Sequence, residues 1–150
     1  MSQDNRLFLV MDAWIIATTK DRDPRCDEVW KAAEVMSKIL RICHKIVLDC
    51  DGTRETILDE YERVAKGSQF AQQWLIAMKT KGKFVYRSRS VVTFQALTDV
   101  DDLKYLQTAM NSPHKKIITG DSDLLTIADD HRIRAEGIDI WSLDEALAKL

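Results

Sequence analysis

Acidic residues stand at three junctions of this 150-residue chain where an apolar run gives way to a turn or a helix-like pattern. Asp12 follows the run Leu7–Met11. Asp102 opens a stretch carrying Leu103, Leu106, Ala109 and Met110. Asp121 follows Ile117-Ile118-Thr119-Gly120, with Asp123 two residues on. Carboxylates are hard oxygen ligands, and several converging on one point suit Mg2+ or Mn2+. A single aspartate at such a junction also reads as a helix cap, because unpaired N–H groups and the helix dipole favour negative charge there. Glu60 is of another kind: it sits mid-helix beside Ile57, Tyr61 and Val64, on the flank of an apolar stripe. Two unit charges about 4 Å apart repel by roughly 4 kcal/mol at an effective dielectric near 20. Convergence of these acids would therefore call for a bound cation or a retained proton.

The elements that must position them follow from apolar spacing. Leu7–Met11 is apolar at successive positions and reads as a strand buried on both faces. Asp21–Pro24 reads as a turn. Val29, Ala32, Ala33, Met36, Ile39 and Leu40 recur at helical spacing, predicting a helix from about Asp27 to Ile42. A strand at Lys45–Leu48 is followed by a helix capped by Thr53, with Thr56 in its first turn and Lys66-Gly67 at its end. Phe70, Trp74, Leu75 and Met78 mark a further helix closing near Gly82. Lys83–Phe94 favours extended structure without a definite boundary. The rest reads as a helix from Asp101 or Asp102, a strand Lys116–Thr119, a short helix Leu124–Ala128, a strand Ile138–Trp141 and a helix Ser142–Leu150. Strands alternating with helices imply a three-layer α/β/α fold around a central parallel sheet, in one domain spanning 1-150. Right-handed crossovers then bring the carboxyl ends of all strands, and their acids, to one edge.

Composition narrows the classes. A net charge of −2 gives no global field for a polyanion, and no apolar run reaches membrane-spanning length. Three cysteines, Cys26, Cys43 and Cys50, form no CxxC pair and suit a reducing cytoplasm. The opening residues lack the basic and apolar regions of a signal peptide. Trp30, Trp74 and Trp141 read as core. His44, His114 and His131 show no ligand spacing and are assigned no role.

Taken together, the ordered pieces resemble the PIN-domain ribonucleases. They are Leu9-Val10-Met11-Asp12, Ile57-Leu58-Asp59-Glu60-Tyr61, the stretch from Asp101 to Ala109, Ile118 to Leu125, and the closing Gly137–Trp141 with its helix. The resemblance implies that Asp12, Glu60, Asp102 and Asp121 are catalytic and bind Mg2+ or Mn2+ together with Asp123. It implies that Thr119 supplies the family's hydroxyl before the acidic turn, and that RNA is hydrolysed by metal-activated water. It further implies a toxin of a toxin–antitoxin pair, with an antitoxin protein and a homodimer as partners. One departure stands out: Ala13 and Trp14 follow Asp12 where the family carries a hydroxyl or amide residue.

For RNA, the basic stretch Lys79, Lys81, Lys83, Arg87 and Arg89 with interleaved Phe84 and Tyr86 could grip phosphates and unpaired bases. Lys81, Lys83 and Arg87, together with Thr119, are the candidate substrate contacts. The same residues also read as an exposed helix end and an edge strand guarded by lysine. Two other functions stay open. Val47-Leu48-Asp49-Cys50-Asp51-Gly52-Thr53 resembles the opening motif of haloacid-dehalogenase-type phosphatases, with Asp49 as nucleophile and Asp51 as acid/base. Against it stand its late position, Leu124 and Leu125 where a later acid belongs, and Lys115 and Lys116 too close to the following strand. A PIN-like module that binds RNA or protein without cleaving is the third.

Overall fold

The computed structural model describes residues 5–20, 26–50, 55–91, 94 and 101–150. The expected turn at 21–24, the Thr53 cap and Asp51 lie outside the described residues.

Five strands form one parallel sheet: β1 (Phe8–Met11), β2 (Lys45–Asp49), β3 (Phe84–Arg87), β4 (Lys116–Ile118) and β5 (Asp139–Trp141). Their order across the sheet is β3-β2-β1-β4-β5. β1 pairs Leu9 with Ile46 of β2 on one side and with Lys116 of β4 on the other. Leu9, Val10 and Met11, like Ile46, Val47 and Leu48, are fully buried at consecutive positions. That is the signature of a strand covered by helices on both faces, as the three-layer α/β/α expectation requires.

The helices are α1 (Ala13–Thr18), α2 (Asp27–Arg41), α3 (Ile57–Ala65), α4 (Gln69–Thr80), α5 (Leu103–Met110), α6 (Ser122–Thr126), α7 (His131–Ala135) and α8 (Leu143–Lys149). Local chemistry starts several of them. α2 carries Asp27 and Glu28 in its first turn and Lys38 and Arg41 in its last, matching its dipole. Thr56 caps α3 in a reciprocal box with Asp59, so it sits one step outside the first turn that its sequence context suggested. Ser68 caps α4 and Ser142 caps α8.

Two helices have no counterpart in the apolar spacing. α1 spans only six residues and α7 only five, too few for a 3.6-residue period to register. α6 starts two residues ahead of the expected Leu124 because Asp121 caps it. Trp74 and Trp141 are core, as read, but Trp30 is 64 % exposed on α2. Among the described residues no helix is long and apolar enough to cross a membrane.

The chain runs from β1 outward to β2 and β3, then returns past β1 to β4 and β5. The order therefore reverses between β1 and β4. In open parallel sheets the crevice at that reversal, beyond the carboxyl ends of the strands, is where ligands bind.

Candidate metal centre

Asp12 leaves β1 and Asp121 leaves β4 on either side of this crevice. Asp12 is 4 % exposed and caps α1, its Oδ1 accepting the Trp14 N–H at 3.1 Å. Its Oδ2 accepts the Thr119 hydroxyl at 2.8 Å, and Thr119 Oγ1 in turn accepts the Asp121 N–H at 2.9 Å. Thr119 thus ties the ends of β1 and β4 together. It is fully buried, so the expected role in touching substrate gives way to a role in positioning the acids.

Asp121 Oδ1 accepts the Asp123 N–H at 3.0 Å. Asp102 stands at the start of α5 but makes no cap hydrogen bond with its side chain. Carboxylate oxygens of Asp102, Asp121 and Asp123 all lie within 4.8 Å of one another. In an octahedral Mg2+ site, neighbouring ligand oxygens are about 3 Å apart and opposite ones about 4.2 Å. At that limit each oxygen of the trio needs to move inward by about 1 Å to hold such a cation. Its donors are all hard oxygen, so the residues present fit Mg2+ or Mn2+. The capping reading holds for Asp121, whose side chain caps α6, while the Asp102 side chain caps nothing.

Asp12 and Glu60 stand beside this trio rather than within it. The Asp12 carboxyl is pushed up to about 6, chiefly by burial. The Thr119 and Trp14 hydrogen bonds pull it down, while the charges of Glu60 and Asp121 push it up further. Glu60 points inward, with a side chain 18 % exposed, but it is already paired. Lys104 Nζ lies 3.2 Å from its Oε1 and Arg63 3.3 Å from its Oε2. The Tyr105 hydroxyl donates to Oε1 as well, and accepts the Ala13 N–H at 3.1 Å. Tyr105 thereby links Glu60 to the start of α1, next to Asp12.

Sequence reading did not single out Tyr105, Lys104 or Tyr61, whose hydroxyl donates to the Met11 carbonyl at 2.5 Å. All three are buried polar side chains at apolar-looking helical positions, and only the tertiary contacts distinguish them from core or surface residues. Trp14, the departure from the family pattern, packs its ring against Gly120 on the loop that carries Asp121.

The expected RNA-binding stretch does not form one surface. Lys81 and Lys83 precede β3 and so lie at the amino edge of the sheet, opposite the acids. Lys83 is buried and donates to the Leu40 and Ile42 carbonyls at the end of α2. Lys79 pairs with Glu62 at 2.7 Å. Arg87 is exposed at the carboxyl end of β3, two strand spacings from β1, or about 10 Å. Lys81 and Lys83 are therefore set aside as substrate contacts for this crevice, because the strand between them and Arg87 separates the two edges.

Asp49 is bound up in structure. It is 2 % exposed; Oδ1 accepts the Ile57 N–H at 2.7 Å and Oδ2 accepts from Arg89 at 2.6 Å. A nucleophilic aspartate needs an open oxygen, so the phosphatase reading loses its attacking group. Lys115 and Lys116, the lysines closest to hand, bond to the Glu136 carbonyl and to Asp139 at the other edge. No protein-family model, curated protein or solved structure matches this chain, so its likeness to the PIN-domain ribonucleases rests on the residues quoted above.

Proposed function

We propose that this chain is a Mg2+- or Mn2+-dependent ribonuclease of the PIN type, one domain over 1-150 working in the cytoplasm. The observation that carries the reading is the approach of Asp102, Asp121 and Asp123 to within 4.8 Å of one another, beside Asp12, at the reversal point of the sheet.

A divalent cation, when bound, supplies charge neutralisation and activated water for hydrolysis of a phosphodiester. The chain's own part is positional. Asp102, Asp121 and Asp123 would hold the cation. Thr119 and the Trp14 N–H fix the Asp12 carboxylate next to them. Tyr105, Lys104 and Arg63 hold Glu60 at the rim. Trp14 packs its ring on Gly120 and so braces the loop that carries Asp121.

The test is cleavage of a fluorophore–quencher single-stranded RNA by the purified protein. Cleavage in Mn2+ or Mg2+, lost in EDTA and reduced about a hundredfold or more in Asp121→Asn and Asp12→Asn, is expected. Cleavage at the wild-type rate by either variant removes the assignment. A toxin role adds an antitoxin and a homodimer as partners. It predicts arrest of growth on expression of the wild type but not of Asp121→Asn.

A module that binds RNA or protein without cleaving is the second reading. It draws on Glu60 being already paired with Lys104 and Arg63. RNA retained by the protein and left intact in Mn2+ would select it.

A further inference from the structure

The edge of the sheet opposite the acids is basic, and it holds a cleft of about 670 Å³. Arg6 and Leu7 ahead of β1, Ile42 after α2, His44 ahead of β2, His114 ahead of β4 and Lys149 at the end of α8 all line it. Among the described residues no aspartate or glutamate side chain does. Ligand clefts in proteins are typically about 300–1,000 Å³.

Both imidazoles are held in one tautomer by Leu7 and Phe8, at the entry to β1. His44 Nδ1 accepts the Leu7 N–H at 3.0 Å, and His114 Nδ1 accepts the Phe8 N–H at 3.1 Å. Successive amides of a strand point to opposite neighbours, so the rings flank β1 from the β2 side and the β4 side. A ring nitrogen that accepts a backbone N–H carries no proton. The proton of each neutral ring is then on Nε2, and each ring offers a donor. His44 is only 5 % exposed, yet it lines the cleft, and among the described residues no protein group accepts from its Nε2.

The local field has the same sense. Burial, and then the Lys83 cation, hold His44 below the usual histidine range. Lys83 itself is held down chiefly by burial; Cys43 opposes this, and Lys81, Lys45 and Arg6 add to it. A cleft lined by donors and cations, with no aspartate or glutamate side chain among the described residues, suits an acceptor-rich anion.

We infer that this cleft binds a small phosphate ester of mononucleotide size. The Nε2–H groups of His44 and His114 and the Arg6 cation take the phosphate oxygens, and Lys149, whose Nζ lies 3.8 Å from Glu145 Oε2 and 4.9 Å from the Trp141 ring centre, swings from them to join. Leu7 and Ile42 form the apolar wall for the organic part. The site stands apart from the aspartates and does not depend on the nuclease reading.

Titration by calorimetry and by NMR of the histidine ring protons tests it, in EDTA and at constant ionic strength. The probes are a nucleoside monophosphate, inorganic phosphate and the unphosphorylated nucleoside. The monophosphate is expected to bind and to move the His44 and His114 signals. Inorganic phosphate should bind about tenfold more weakly, and the nucleoside not measurably. Arg6→Gln and Lys149→Gln should each weaken the monophosphate by about tenfold with an unchanged fold. His44→Asn keeps an acceptor for the Leu7 N–H while removing Nε2–H, and should weaken it similarly. No ring shift with the monophosphate, or affinity indifferent to Arg6→Gln and Lys149→Gln, overturns the site. Equal affinity for inorganic phosphate overturns the ester.

Discussion

The ring of Trp14 occupies the space that a side chain on Gly120 would need: a Cβ at residue 120 would stand 2.1 Å from Trp14 Cζ3. Gly120 is not among the residues with positive φ, so close packing, rather than turn geometry, requires glycine here. Gly120→Ala should push the indole off the loop carrying Asp121 and cost about 1–3 kcal/mol, the usual range for overpacking. In a Trp14→Ala background the same change should cost a few tenths of a kcal/mol at most. Urea denaturation of the four proteins measures the coupling. Equal costs in both backgrounds would show that the contact does not constrain the loop.

Asp12 makes the fold sensitive to pH in an unusual direction. Its carboxyl titrates near 6 in the folded chain, mainly through burial, against 3.8 for an ordinary aspartate. The folded state therefore holds this proton more tightly. The associated stability is complete below about 3.8 and is lost as pH rises through 6, in total about 3 kcal/mol. Asp12→Asn, which carries no charge, should be more stable than wild type by up to about that amount at pH 7.5 in EDTA and no more stable at pH 3.5. Denaturation midpoints at the two pH values provide the comparison. Lower stability of the variant at pH 7.5 would contradict a strained, ionised Asp12.

Divalent metal should relieve the same strain. At a metal concentration about a hundred times the dissociation constant, mass action adds about 2.7 kcal/mol, or roughly 5–10 °C in melting temperature for a chain of this size. The gain should be larger at pH 8 than at pH 5.5, because the cation competes with the Asp12 proton near pH 6. Thermal scans in EDTA, Mg2+ and Mn2+ report it. An unchanged midpoint across millimolar metal argues against a cation among these acids.

Lys104 is the internal counter-ion of Glu60, 3.2 Å away with a side chain 8 % exposed. Lys104→Met leaves Arg63 as the remaining cation on that carboxylate, so the variant should lose about 1–2 kcal/mol in EDTA, less than for a fully buried pair. The loss should shrink in millimolar Mn2+, because the freed Glu60 then adds to the acidic centre. Lys104→Met/Glu60→Gln should recover most of the EDTA stability and none of the metal-dependent part. A deficit unaffected by Mn2+ would confine Lys104 to packing.

Apolar spacing and junction acids determined a good deal by themselves. β1 is hydrophobic at every position and β2 from Ile46 to Leu48, which only a sheet covered on both faces can accommodate. Alternation with helical patterns then implied the parallel sheet. Asp12, Asp102 and Asp121 were legible as acids at element ends because those ends must share an edge. Tertiary structure alone decided the strand order, and with it which ends are neighbours: β1 lies beside β4, so Thr119 reaches both Asp12 and Asp121. It alone divided the basic stretch between two edges of the sheet, because charge along a chain says nothing of where a strand begins and ends. It also paired Glu60 with Lys104 and turned His44 and His114 toward the amino ends of neighbouring strands. Those partners are 44, 37 and 106 positions apart in the chain, beyond the reach of any local pattern.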